Sequence, residues 1–317
     1  MLLVLGAVAT GAIAIALTVG SVRLAPAHVL QALIGAGPDA ELAIVRELRL
    51  PRAMSAFATG GLLAVAGTLM QVLLRNPLAD PYVLGLSGGA AAGALAALAA
   101  GLAGWVTPAA FAGALASTFI VFGLARAHAD RTPWTATRLL LTGVVIASGW
   151  GAIIALLLSL APDTQLRGML FWLIGDLSAA GPGWPALLLL ALVVGAALML
   201  ARDLNVLLRG ETTAASLGVP VARTTLFLYA LSALATAAAV TTAGSIGFVG
   251  LVVPHALRLV IGNDQRALLP AAALAGGALL VVADTAARSI VAPVQLPVGV
   301  VTALIGVPVF LWLLSRR

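Results

Sequence analysis

Three arginines stand three residues apart at Arg46, Arg49 and Arg52, and a fourth, Arg288, follows the acidic Asp284 by four positions near the other end of the chain. A guanidinium offers a planar fork of donors that grips a carboxylate through two parallel bonds. It also snorkels, laying its stem along lipid and its head among phosphates. The spacing leaves both uses open. Asp284 falls in an apolar stretch, and an ionisable group there is a functional hypothesis by default; Arg288 lies one helical turn on and can pair with it. Cysteine is absent, which excludes disulfides and thiolate metal sites. No nucleophile–base triad, HExxH run or paired-carboxylate site is present, so neither a catalytic nor a metal-ligating residue is assigned.

All 17 basic residues are arginine. A Walker A loop needs a lysine on the nucleotide phosphates, so any ATP that drives this protein is bound by another subunit. The pI near 11.3 does not indicate nucleic acid, because the arginines are scattered between apolar segments rather than clustered.

Those arginines must be carried by membrane helices. The chain is 62% hydrophobic and 9% charged, with a mean hydropathy of +1.13, which leaves too little polar surface to cover a soluble globule. Apolar runs of the length that crosses ~30 Å of hydrocarbon recur, without the alternation of barrel strands. Hydropathy predicts an all-α polytopic fold with ten spans near 2–22, 53–74, 83–102, 105–125, 137–160, 184–201, 224–243, 247–262, 268–287 and 297–314. The whole of 1–317 reads as one domain, and the first run as a retained span rather than a signal peptide. With both termini cytoplasmic, 11 arginines lie inside (Arg75, Arg126, Arg131, Arg138, Arg202, Arg209, Arg223, Arg258, Arg266, Arg316, Arg317) and 6 outside (Arg23, Arg46, Arg49, Arg52, Arg167, Arg288), as the positive-inside bias requires. Three outside arginines within seven residues call for a reason.

Three interruptions carry further signals. In RNPLADPYVLGLSGG at 75–89, the Asn76-Pro77 and Asp80-Pro81 pairs predict a tight turn, with Asp80 either a cap or a plain turn residue. In LLRGETTAASLGV, Gly210 and Gly218 bracket a short helical stretch, with Gly218 placed to end it; a short helix pair over about 203–222 can pass force to a docked subunit or be a simple loop. In DTQLRGMLFWLIGDLS at 163–178, too short to span, Arg167, Phe171 and Trp172 either line a pore mouth for an anionic or aromatic ligand or form an interfacial belt. His28 and His128 read as isolated loop histidines.

Taken together, LRLPR at 48–52, GLLAVAGTLMQVLLRNPLADPYVLGLSGGA at 61–90, GETTAASLGV at 210–219, GSIGFVGLVVPHALRL at 244–259 and ADTAARSIVAPVQLPVGVVTALIGVPVFLWLL at 283–314 resemble the FecCD family over nearly the whole chain. The resemblance implies the permease fold of a type II ABC importer in the bacterial inner membrane. It implies a second copy of the chain, two cytoplasmic ATPase subunits carrying ATP and Mg, and a periplasmic binding protein, with no cofactor on this chain. The cargo it implies is a bulky metal chelate: haem, cobalamin or a ferric siderophore. Arg167 followed by the Phe171-Trp172 pair favours a tetrapyrrole, although Gly175-Asp176 departs from the family's usual Gly-Ser.

The resemblance also implies residue roles. Asn76, Leu78, Ala136 and Thr137 match a cytoplasmic gate. Leu207, Leu208, Arg209, Gly210, Glu211, Leu217 and Gly218 match the ATPase-coupling stretch. Arg49, Arg52 and Arg288 match arginines that meet glutamates on the binding protein. His255 lies in a motif shared across the family's substrates and reads as structural. A secondary, ion-coupled transporter is the rival; it needs intramembrane acids, and Asp284 alone is available.

Overall fold

The structure, a computed structural model, describes residues 1–20, 22–126, 136–178 and 180–315. His128, Arg131, Arg316 and Arg317 lie outside the described residues. Every regular element described is helical. Ten apolar helices correspond to the ten hydropathy segments: α1 (Leu2–Thr18), then, past the short α2 (Pro26–Ile34) and α3 (Asp39–Leu42), α4 (Leu50–Leu73), α5 (Leu86–Ala99), α6 (Val106–Arg126) and α7 (Ala136–Leu160). Beyond α8 (Asp163–Ile174) come α9 (Trp184–Met199), the short α10 (Ala201–Leu207) and α11 (Glu211–Ser216), then α12 (Val221–Ala243), α13 (Val249–Ile261), α14 (Gln265–Ala287) and α15 (Val298–Ser315). Among the described residues five are long and apolar enough to cross a membrane unaided, and α9 with α10 forms a sixth bent by 60°. The others are shorter apolar helices packed among them.

The largest departure from the hydropathy reading is the segment expected as an interruption at 23–52. Its second half is helical and continuous with α4, giving one run from Asp39 to Leu73. Hydropathy misses it because Arg46, Glu47, Arg49 and Arg52 dilute the signal, while in the packed fold Arg46 and Arg49 reach backbone carbonyls and Arg52 reaches Asp284. Residues Ala43–Arg49 form a π-helical stretch just before Pro51. Proline has no N–H to donate and its ring crowds the carbonyl four residues back; a wider turn ahead of it absorbs that mismatch.

α4 is the central post, buried along most of its length against α9, α12, α13 and α14. α7 is its opposite, with few buried residues. No hydrophobic drive pulls helices together inside lipid, so close packing comes from small residues. A Cβ on Gly60 would overlap the carbonyl oxygen of Gly276 on α14, and one on Gly67 that of Gly250 on α13. The backbones of these helices therefore touch where the glycines stand.

Candidate functional site

Several of the residues singled out by sequence lie at the two ends of α4. At its C-terminal end, Arg75 turns left-handed with φ +48°. Its N–H donates to the Val72 carbonyl at 3.1 Å, and the Asn76 N–H donates to the Gln71 carbonyl at 3.2 Å, the bond pair of a Schellman turn. Glycine usually occupies this position, because a Cβ in left-handed backbone costs roughly 1–2 kcal/mol. Here arginine occupies it, and its Nη2 reaches Glu211 Oε1 on α11 at 3.1 Å. Asn76 Oδ1 then accepts the Leu78 N–H at 2.9 Å, and Leu78 is left exposed. Asp80 is a cap: its Oδ1 accepts the Tyr82 N–H at 2.7 Å at the head of the 3₁₀ turn Pro81–Leu84. Part of its surface stays open, yet burial pushes its carboxyl up to about 6 against the lowering effect of that hydrogen bond.

This turn is fastened on two more sides. Gln71 Nε2 donates to the Leu251 carbonyl on α13 at 3.3 Å and to the Ala79 carbonyl at 3.4 Å. The Tyr82 hydroxyl donates to the Ile246 carbonyl and accepts the Ile246 N–H, both at 3.1 Å. Ala136 and Thr137 open α7, and their side chains lie outside the described residues.

The stretch matched to ATPase coupling divides by burial. Leu207 is buried and Leu208 half-buried against the core, whereas Arg209, Glu211, Leu217 and Gly218 are exposed. α11 sits between the two glycines, each at positive φ. It ends in a second Schellman turn: the Gly218 N–H bonds to the Ala215 carbonyl and the Val219 N–H to the Ala214 carbonyl, each at 3.0 Å. Ala214 and Val219 are buried, supplying the apolar contact that accompanies this cap. α10 is tied to the start of α14, where Asn205 Nδ2 donates to Asp264 Oδ1 at 2.8 Å and Asn205 Oδ1 accepts the Gln265 N–H at 2.9 Å. The Asn205 amide first, then the Arg266 N–H, hold the exposed Asp264 carboxyl below its usual range.

At the N-terminal end of α4 the arginines have internal partners. Arg49 is buried, and its guanidinium donates to the carbonyls of Leu17 at 2.7 Å, Thr18 at 3.2 Å and Val22. Arg288 donates to the Ala16 carbonyl, and Arg46 to that of Leu33 at 2.8 Å. All three guanidiniums thus satisfy carbonyls at or just past the C-terminal ends of α1 and α2, where helices leave acceptors open and carry partial negative charge. Asp284 pairs chiefly with Arg52: Nη2 lies 2.9 Å from Oδ1, and Nε lies 3.1 and 3.0 Å from the two oxygens. Arg288, the partner expected one turn away, stands at 3.9 Å. Arg52 Nη1 reaches out to Gln295 Oε1 at 3.0 Å. Arg49, Arg52 and Arg288 line one recess of about 320 Å³, with Glu47, Ser178 and Gln295 also on its wall.

A larger cavity of about 840 Å³ adjoins it, sharing Ser178 and Gln295. Arg167, Phe171 and Trp172 all line it, together with Asp176, Thr241 and Thr242. The Arg167 guanidinium lies 5.4 Å from the Phe171 ring centre, within cation–π range. Its floor is fixed: the Asp176 N–H donates to the Ala243 carbonyl at 2.8 Å, and Asp176 caps the Ser178 N–H at 2.9 Å.

Gln71, Arg75, Asn205, Asp264 and Gln295 were not singled out by sequence. Arg75 alone carried a signal, a charged residue directly before the NPLA turn; the others act across 8 to 243 residues of separation. His28, expected in a loop, is in α2 with Nδ1 3.1 Å from Glu41 Oε1. His255 is buried in α13. Among the described residues no group of three His, Cys, Asp or Glu is placed to hold a metal ion.

A family model described as the FecCD transport family matches residues 7–316. The chain is 47% identical to the cobalamin import system permease BtuC of Halobacterium salinarum, over 88% of this chain and 75% of that protein. It is 43% identical to the hemin transport system permease HmuU of Yersinia pestis, over 88% and 85%. A solved structure of a metal-chelate type ABC transporter in an inward-facing conformation superposes with a TM-score of 0.87 at 27% identity, covering 100% of this chain and 99% of that one.

Proposed function

The chain belongs to the FecCD transport family, and from that membership we propose that it is the permease through which a tetrapyrrole metal chelate crosses the membrane, driven by ATP hydrolysis on partner subunits. That it is a multi-pass membrane permease of the ABC importer type follows from the family. The observation that carries the finer reading is the identity to two permeases named for cobalamin and hemin, over most of their length. The cavity of about 840 Å³ supports it. Its size falls in the range of small-molecule sites, ~300–1,000 Å³, and one cation with two aromatic rings on its wall suits a large flat ligand with acidic side groups.

In this reading the α8 end faces the periplasm and receives a binding protein at the recess of Arg49, Arg52 and Arg288. The α11 end faces the cytoplasm, where the exposed face of α11 with Leu217 meets an ATPase subunit. Two copies of the chain enclose the pathway, and both termini lie inside. Nucleotide and Mg stay on the ATPases, since this chain has no lysine for a Walker A loop. Asn76, Leu78, Ala136 and Thr137 close the inner end of the pathway.

Uptake tests it. The chain, its ATPase subunits and its binding protein are reconstituted in proteoliposomes with cyanocobalamin or haemin. The expected result is accumulation of one of them that needs ATP and is indifferent to an imposed proton or sodium gradient. Gradient-driven uptake without ATP hydrolysis would establish the ion-coupled rival instead.

A further inference from the structure

We propose that Arg75 is a positioning residue of the transport cycle: its ion pair with Glu211 carries movement of α11 to the turn at 75–80 that closes the inner end of the pathway. The inference rests on the permease reading and adds to it a physical link between two segments that the reading treats separately. Glu211 is the first residue of α11, and Arg75 is the left-handed residue that opens the NPLA turn. Their charged atoms lie 3.1 Å apart although 136 residues separate them.

Three features make the contact more than an incidental surface pair. The backbone at Arg75 calls for glycine; only a role for the side chain gives arginine an advantage there. The turn it opens is continuous with Asn76 and Leu78, and is bound on its far side to α13 through Gln71. A pull on Arg75 is therefore applied to a hydrogen-bonded unit rather than to a slack loop. Finally, both side chains are close to half exposed, at 42% and 47%. Exposed pairs add little to stability, so this one can break and re-form within a cycle without unfolding anything. α11 itself is short and rests on α10 and α12, which leaves it free to be moved by what docks on its exposed face.

The test uses the full complex of permease, ATPase subunits and binding protein in nanodiscs, and reads stimulation of ATP hydrolysis by the binding protein. Arg75→Gly suits the left-handed turn and removes the charge; Glu211→Gln removes the other charge without changing shape. Each is expected to cut stimulation at least about fivefold, the lower end of ordinary coupling between sites, while membrane yield and thermal stability stay at wild-type level or, for Arg75→Gly, rise. The swap Arg75→Glu with Glu211→Arg is expected to restore more than half of it. Wild-type stimulation in both single variants overturns the proposal, as does loss in the singles without recovery in the swap. A wild-type complex that hydrolyses no ATP removes the permease reading and the pair's role together, so the two failures are told apart.

Discussion

Guanidinium groups explain most of what is unusual in this chain at the scale of single residues. The arginine excess at the α8 end arises because α1 and α2 end there, and Arg46, Arg49 and Arg288 reach across from other helices to carbonyls in those terminal regions. Asp284, 3% exposed, is tolerable in an apolar helix because Arg52 binds both of its oxygens; a buried carboxylate without such a partner would be strongly destabilising. Asp80 is the contrary case, a carboxylate half-buried without an arginine beside it. Its folded value, about 6, exceeds the ordinary 3.8, so folding favours the neutral acid. The ionised form therefore detracts from stability above about pH 6, and the penalty fades as pH falls through that value. Asp80→Asn keeps an oxygen for the Tyr82 N–H and cannot ionise. It is expected to unfold at a higher temperature than wild type in detergent at about pH 7.5, with the difference shrinking by about pH 5. A difference that is constant across that range would show that Asp80 does not titrate there.

Short elements are the ones most easily disturbed. α11 is six residues long and held by its ends. Gly218, at φ +83°, forms the far end, and a Cβ there meets nothing within 4 Å. The penalty for a side chain is thus purely of the backbone, roughly 1–2 kcal/mol, and larger for a β-branched residue than for asparagine, which visits this conformation more readily. Gly218→Val is expected to leave the chain in the membrane yet uncouple ATP hydrolysis from uptake, and Gly218→Asn to retain coupling. Normal uptake per ATP in the valine variant would refute a coupling role for the α11 cap. Gly60 and Gly276 are different in kind: there the obstacle is the neighbouring helix's carbonyl, and the whole α4–α14 crossing depends on it.

Over the whole molecule, α4 joins two distant stations. One end bears the turn linked to α11; the other bears the arginine recess, whose wall residues Ser178 and Gln295 also line the larger cavity. Because Arg49, Arg52 and Arg288 all have internal partners, simple charge reversal would damage the fold as well as any docking. A sharper comparison uses Asp284. Asp284→Asn frees Arg52 from its internal anion, so affinity for the binding protein is expected to hold or rise. Adding Arg52→Gln to that variant removes the charge while leaving no buried carboxylate exposed to a missing partner, and affinity is expected to fall by at least about tenfold, less at high salt where exposed pairs are screened over ~8–10 Å. Equal affinity of the single and double variants in nanodiscs would show that Arg52 serves Asp284 alone.

Composition and the order of motifs were enough to read an all-helical membrane chain, the family and the glycines that end α11, because these depend on solvent and on local backbone. Hydropathy senses transfer into lipid, and a left-handed helix end favours glycine. Partner choice lay beyond that reach. Whether Arg52 or Arg288 holds Asp284, what Arg49 does with its fork, and that Arg75 meets Glu211 are set by how α1, α4, α11 and α14 come together, with contacts that span 27 to 272 residues of separation. A long, flexible cation has many acceptors within reach, and only the packed fold decides which of them stands in range.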